Sequence, residues 1–209
     1  MDGDPTRLLL MPTAFRYPRG RFGIAAPYGV TALGAYGVTD NLQVGIQAMA
    51  PLGLLAGGAS IRVGVDFSWG SAAIQANALG LIVVAGGSQS LGLAGGGPLV
   101  SIGTRRSAIT IGVQVSAIGF DSEWDGPYVT PHLGASLRVL GGVRVLAELL
   151  LPTYDRASLG ELLVFIWGVR IFGGTHHVDA GLIMPLCPAC TVSADFGIGI
   201  PLLTYGAHF

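Results

Sequence analysis

The feature that most constrains the fold is an alternating stretch between Arg105 and Phe120. The β-branched residues Ile109, Ile111, Val113 and Val115 occupy one parity, and the small or polar residues Thr110, Gly112, Gln114 and Ser116 occupy the other. Successive side chains of a strand point to opposite faces, so the pattern predicts a strand with one apolar and one polar face. About ten tilted strand residues are enough to cross the hydrocarbon layer of a bilayer.

The composition indicates which kind of protein uses such strands. Hydrophobic residues make up 51% of the 209 positions and charged residues only 11%. Soluble domains carry about 25% charged residues, so the low value favours a membrane protein. The formal net charge of -1 gives no basis for binding nucleic acid, which requires a basic surface.

The apolar stretches do not suit spanning helices. A spanning helix needs about 20 mostly apolar residues. The best candidate, the charge-free stretch 67–104, is interrupted by Gln75, Asn77 and many glycines. Each glycine costs about 1 kcal/mol in a helix. A membrane chain without spanning helices must form a closed barrel, because an open sheet edge cannot face lipid.

Alternation and turn residues predict one domain, residues 1–209, forming an all-β antiparallel up-and-down barrel of about twelve strands. The predicted strands are 7–15, 21–38, 42–50, 59–69, 70–84, 91–104, 105–120, 128–140, 143–154, 161–172, 177–186 and 191–209. Tight turns alternate with looser connections, as in outer-membrane barrels, which places both termini on the periplasmic side. A helix remains an alternative for 143–151, where Arg144 and Glu148 are four residues apart.

Eight charged residues lie well within the predicted strands, and all of them fall on the polar parity. They are Arg62, Asp66, Arg138, Arg144, Glu148, Arg170, Asp179 and Asp195. An Arg or Lys on the lipid face costs about 2–4 kcal/mol at the midplane, so this face is predicted to line the lumen, together with Gln114, His132 and His177. The eight charges sum to zero. Two interpretations stay open: a pore lining without strong ion preference, or a self-neutralising network that stiffens the barrel.

Glycines on the same inward parity predict space inside the barrel. They include Gly45, Gly64, Gly112, Gly134, Gly168 and Gly181. Eight strands are just filled by side chains, and the diameter grows with strand number, so twelve strands are expected to leave a void. No connection between strands is long enough to fold into it. We therefore expect the lumen to be filled by water or to hold something else.

Residues with reactive side chains do not assemble into a recognisable active site. Cys187 and Cys190 are separated by two residues in a predicted surface turn, and a local disulfide is expected there in an oxidising compartment. His132 shares a strand face with Ser136, but four strand residues span about 13 Å, too far for a hydrogen bond. We expect no enzymatic activity, no metal and no cofactor.

Both ends of the chain carry a resemblance. Phe209, with Tyr205 and Leu203 on its parity, resembles the C-terminal assembly signal of bacterial outer-membrane barrels. DPTRLLLMPTAFRYPRG and YGVTDNLQVG resemble the start of small uncharacterised Gram-negative outer-membrane barrel proteins, over about the first fifty residues. The resemblance implies an outer-membrane location and a barrel fold, but no activity. No signal peptide is visible, so we expect a mature form to which Met1 was added as a start.

The function expected from the sequence is that of an outer-membrane barrel acting as a passive pore for small solutes. The alternative is a non-conducting barrel that anchors an envelope assembly, with its lumen filled by a partner or by its own side chains. The expected partners are the lipid bilayer, lipopolysaccharide, the barrel-assembly machinery during insertion and, for the alternative, an envelope protein.

Overall fold

A computed structural model of the chain describes residues 6–27, 31–49, 54–83, 89–121, 123–152, 163–186 and 199–209. These residues form one closed antiparallel barrel of twelve strands, in which each strand pairs with its neighbour in sequence and β1 pairs with β12. The strands are β1 Phe22–Pro27, β2 Thr31–Gly37, β3 Leu42–Met49, β4 Leu54–Phe67, β5 Gly70–Val83, β6 Gln89–Gly103, β7 Ala108–Phe120, β8 Glu123–Leu140, β9 Val143–Leu150, β10 Leu163–Gly173, β11 His176–Leu186 and β12 Ile200–His208. The predicted fold class is confirmed. Among these residues no helix is long and apolar enough to cross a membrane.

The two ends of the barrel differ in their connections. Short turns at 38–41, 68–69, 104–107, 141–142 and 174–175 lie at one end, which we call the tight-turn end. The remaining connections lie at the other end, the loop end. β1 starts and β12 finishes at the tight-turn end, where Phe22 and Phe209 exchange backbone hydrogen bonds of 3.0 and 2.8 Å.

The outer face of the barrel is apolar. Ile46, Ile74 and Ile171 point outward and are among the most exposed side chains of the protein. The charged residues of the opposite parity are buried inside, including Arg62, Glu148 and Arg170. A closed barrel with an apolar exterior and a polar interior is compatible with a membrane barrel.

Aromatic side chains gather on the outside at the tight-turn end. Phe22 stacks on Phe209 with ring centroids 4.9 Å apart, and Phe67 stacks on Trp69 at 5.1 Å. Aromatic residues at this level are typical of the interfacial girdles of membrane barrels. The predicted assembly residue Phe209 therefore lies in this aromatic belt.

The N-terminal part of the strand prediction is wrong. Residues Arg7–Phe15 form no strand, and only an isolated bridge between Arg7 and Pro12 occurs there. The predicted long strand 21–38 is instead the hairpin of β1 and β2, within which Pro27 ends β1. A strand cannot continue regularly through proline, which lacks the N–H that the ladder requires. One predicted strand is absent and another is two strands, so the predicted number of twelve strands is correct.

Two further regions are longer or more regular than predicted. The predicted loop 121–127 begins with Asp121, which has a φ of 44° at the β7–β8 turn, and β8 already starts at Glu123. Glu123–Asp125 pair with Ile118–Phe120, so this hairpin extends beyond the predicted strand ends. Residues Val143–Leu150 form β9, which excludes the helical alternative for this part of the chain.

Candidate functional site in the barrel lumen

Residues 6–17 lie inside the barrel, and we call them the plug. Leu8, Leu9, Ala14 and Arg16 are each at most 1% exposed, because the barrel wall surrounds them. The plug enters from the tight-turn end, since residues 18–21 connect it to the start of β1. The expectation that only a connection between strands could fill the void overlooked this segment.

Inward glycines make room for the plug. A Cβ atom added at Gly134 would collide with Cδ1 of Leu8, and one added at Gly168 would lie 3.0 Å from Cδ1 of Leu9. At Gly181 the corresponding distance to Leu9 is 3.3 Å. The space predicted from these glycines is real, but the chain's own N-terminal segment occupies part of it.

Glu148 binds the plug backbone through both carboxylate oxygens. Its Oε1 accepts hydrogen bonds from the N–H groups of Leu9 and Leu10, the latter at 2.9 Å, and its Oε2 accepts one from Met11 at 2.9 Å. Hydrogen bonds to a charged acceptor are about twice as strong as neutral ones. We call this set of three bonds the Glu148 latch.

Arginines bind the carbonyl oxygens of the plug. Arg62 donates from Nη1 to the oxygens of Thr6 and Phe15, at 3.1 and 3.0 Å. Arg170 donates from Nη2 to the oxygen of Leu8 at 3.0 Å. The negatively charged Glu148 thus binds N–H groups of the plug backbone, and the positively charged Arg62 and Arg170 bind its C=O groups.

Asp179 connects the wall to the plug from the side of β11. Its carboxylate accepts two bonds from Arg170, at 2.7 and 2.9 Å, and one from Arg7 of the plug at 3.1 Å. The side chains of Asp179 and Arg170 have no exposed surface. Such a bidentate pair supplies the partner that a buried charge requires.

Apolar contacts add to these polar ones. Leu8 and Leu9 of the plug form one buried cluster with Leu146, Ile166 and Leu202 of the wall. Leu146 and Ile166 share the inward parity of Glu148 and Arg170, and Leu202 pairs with the inward Gly181, so the lumen is not uniformly polar. Near the tight-turn end, Ala14 packs in a second cluster with Ala73 and Leu99.

The described residues of the plug do not fill the whole lumen. A cavity of about 260 Å³ lies between the plug and the wall formed mainly by β1–β5. Its wall side carries Gln43, Gln47, Gln75 and Asn77, and the predicted lining residue Gln114 reaches it from β7. Of the predicted lining residues, Arg62 and Gln114 border this cavity.

The other predicted lining residues have individual surroundings. Asp66 lies at the tight-turn end, 46% exposed, and binds Arg16 at 2.8 Å and Arg105 at 3.3 Å. Arg138 and Arg144 both lie over the ring of Phe172. His177 lies 3.5 Å from Arg7, measured between Nε2 and Nη2.

His132 is buried and differs from these residues. Neither of its ring nitrogens has a hydrogen-bond partner among the described residues.

Asp195, Cys187 and Cys190 lie outside the described residues, so the predicted lining position and disulfide remain predictions. The described part of the chain holds no cluster of three His, Cys, Asp or Glu side chains suited to a metal ion.

The sequence prediction missed the plug residues themselves, above all Arg7, Leu8, Leu9 and Arg16. One signal for them existed: Arg7–Phe15 contains three consecutive leucines and a proline, and does not alternate. A strand with one face to lipid and one to the lumen needs alternation, whereas a segment surrounded by wall does not.

Comparisons with known proteins add no relative. No protein-family model, no curated protein and no solved structure matches the chain. The functional assignment therefore depends on the geometry of the lumen.

Proposed function

We propose that the protein is an integral barrel of the bacterial outer membrane, with both termini in the periplasm, that provides a gated pathway for small solutes. The plug closes this pathway in the resting state. The apolar outer face and the aromatic belt at the tight-turn end support insertion in a membrane.

The observation that carries the proposal is the Glu148 latch. The wall binds the plug through backbone N–H and C=O groups, which water can satisfy equally well once the plug leaves. Exchanging protein bonds for water bonds costs only about 0.5–1.5 kcal/mol per bond. A plug held in this way can therefore alternate between a bound and a released position.

Single-channel conductance in planar bilayers tests the gate. The wild-type barrel is expected to be closed most of the time, with rare openings. In Glu148→Gln an NH₂ group replaces one acceptor oxygen, so at least one N–H of residues 9–11 loses its partner, and the open probability should rise about tenfold, equivalent to 1.4 kcal/mol. Glu123→Gln, the same substitution at an exposed position of the loop end, is the matched control and should leave gating unchanged.

A reversible cross-link tests whether the plug is the moving part. Leu8→Cys with Gly134→Cys places two thiols where the plug touches β8, in a background that lacks Cys187 and Cys190. The oxidised form should show no openings, and a reducing agent should restore them. Equal opening in both redox forms, with the cross-link verified by mass spectrometry, would contradict a gate formed by the plug.

A second function, the non-conducting anchor, is favoured by the apolar cluster that holds Leu8 and Leu9. Water does not replace these contacts, so they favour a permanently filled lumen. Folded, inserted protein that stays silent as wild type, as Glu148→Gln and as the reduced cysteine pair would establish this alternative and exclude the pore.

A further inference from the structure

The cavity beside the plug has side chains that suit a particular class of ligand. Besides Arg62, its polar wall is formed by five amide side chains and one hydroxyl, from Gln43, Gln47, Ser60, Gln75, Asn77 and Gln114. Its volume of about 260 Å³ equals the share of about nine water molecules in the liquid, at ~30 Å³ each. The space admits one small molecule of about the size of a hexose.

The orientation of two of these amides is fixed by unambiguous donors. The backbone N–H of Tyr17 donates to Oε1 of Gln43 at 2.9 Å. Nε and Nη2 of Arg62 donate to Oε1 of Gln75 at 3.0 and 2.7 Å. Since the oxygen of each amide is engaged, its NH₂ group is the free end. Gln43 and Gln75 thus supply NH₂ donors that bond to no described residue.

Asn77, which lines the same cavity, supplies an acceptor. Oδ1 of Asn77 is buried and has no hydrogen-bond partner among the described residues. Asn77 follows Gln75 on the same face of β5, two residues along the strand. A buried polar atom without a partner costs about 1–3 kcal/mol, which a ligand hydroxyl can recover.

The charges around the cavity exclude ionic ligands. None of the described residues that line it carries a carboxylate, so a cation finds no counter-charge among them. Its two arginines, Arg7 and Arg62, are engaged with Asp179 and with oxygens of Gln75 and of the plug. Neither guanidinium offers the two-pronged donor pair by which arginine binds an anion.

We infer that the cavity binds a small neutral polyhydroxylated molecule, of the monosaccharide or polyol class. Hydroxyl groups both donate and accept, so different hydroxyls of one molecule can accept from the NH₂ groups of Gln43 and Gln75 and donate to Oδ1 of Asn77. The inference deepens the proposed pore by naming its solute class. Binding occurs with the plug in place, so it can be measured in the closed barrel.

Saturation-transfer NMR with D-glucose on the folded barrel tests this inference. The barrel is held in a micelle of a zwitterionic detergent, because sugar-based detergents would compete for the cavity. Glucosamine and glucuronate, which keep the ring but carry opposite charges, are the comparison ligands. Glucose should bind at least tenfold more tightly than either.

Asn77→Leu is the informative variant, because it removes the acceptor and keeps the number and branching of the side-chain heavy atoms. It should weaken glucose binding about tenfold, whereas Asn41→Ala, in a turn outside the cavity, should not change it. Folding of each variant is checked by heat-dependent mobility in gels. Absence of glucose binding to folded wild type, preference for glucuronate or glucosamine, or unchanged binding in Asn77→Leu would each overturn the inference. If glucose does not bind but the Glu148→Gln barrel conducts, the proposed gate is supported and only the inferred solute class is wrong.

Discussion

Two walls of one lumen use different polar residues. The β9–β11 wall presents Glu148, Arg170 and Asp179, which are almost fully buried and all bind the plug. The β3–β5 wall presents mainly amides, such as Gln47 and Asn77, and faces the cavity. A buried charge needs a permanent partner, whereas an amide tolerates water or a ligand in turn. The difference teaches that the kind of polar group marks where the lumen is filled and where it stays open.

The largest expected effect comes from Asp179→Asn. This change removes the counter-charge of the fully buried Arg170 and weakens the contact with Arg7. Breaking one partner of a buried pair costs about 3–5 kcal/mol. Urea unfolding of the barrel in lipid vesicles should show a loss of this size. Asp66→Asn, the same change at a half-exposed pair, should cost less than about 1 kcal/mol. Equal losses for the two variants would remove the distinction between the buried wall and the tight-turn end.

Glu148→Ala should have the next largest effect, and it acts on the plug rather than on the barrel. Three N–H groups lose their acceptor, and each unsatisfied group costs about 1–3 kcal/mol. The plug then leaves the lumen, and hydrogen exchange at Leu9–Met11 should become at least about a hundredfold faster. Gln47→Ala on the opposite wall is the control and should leave exchange there unchanged. Unchanged protection in Glu148→Ala would show that the apolar cluster and the contacts of Arg62, Arg170 and Asp179 hold the plug without the latch.

Gly134→Val tests the steric fit between the plug and β8, and its expected effect is of intermediate size. The new side chain occupies the place of Leu8, and overpacking of this kind costs about 1–3 kcal/mol. The plug should be displaced, which trypsin cleavage after Arg7 or Arg16 reports as faster proteolysis. Gly173→Val, where no neighbouring atom approaches, is the matched control. Equal cleavage rates would mean that the plug shifts along the lumen without leaving it.

The smallest effect is expected for His132→Leu. The imidazole is buried, and neither nitrogen bonds to a described residue, so an apolar replacement loses no hydrogen bond. Removing a buried polar group without partners is close to neutral or stabilising. The urea midpoint should stay unchanged or rise slightly. A clear decrease would reveal a bonded water or ion at His132 and add a polar site to the wall of β7 and β8.

The sequence predicts the wall of this barrel far better than its contents. Lipid excludes charge from one face, so the positions of Arg62, Glu148 and Arg170 determine the inward parity of their strands. No comparable rule applies to the plug, because it has no face that lipid requires to be apolar. From the sequence alone, Leu8 and Leu9 are therefore not distinguished from residues of an apolar strand. The glycines predicted the space, but which segment fills it depends on contacts between residues more than 130 positions apart.

The short link between the plug and β1 has a consequence for the strength of closure. Residues 18–21 contain a compact turn, in which Arg21 N–H bonds to the oxygen of Pro18 and Gly20 N–H to that of Gly37. The plug is thus an intramolecular ligand, and a short tether gives such a ligand an effective concentration in the millimolar range. A site that would bind the free peptide only weakly is then occupied most of the time. For the proposed gated barrel, closure is then a property of each single barrel, independent of how many barrels the membrane holds.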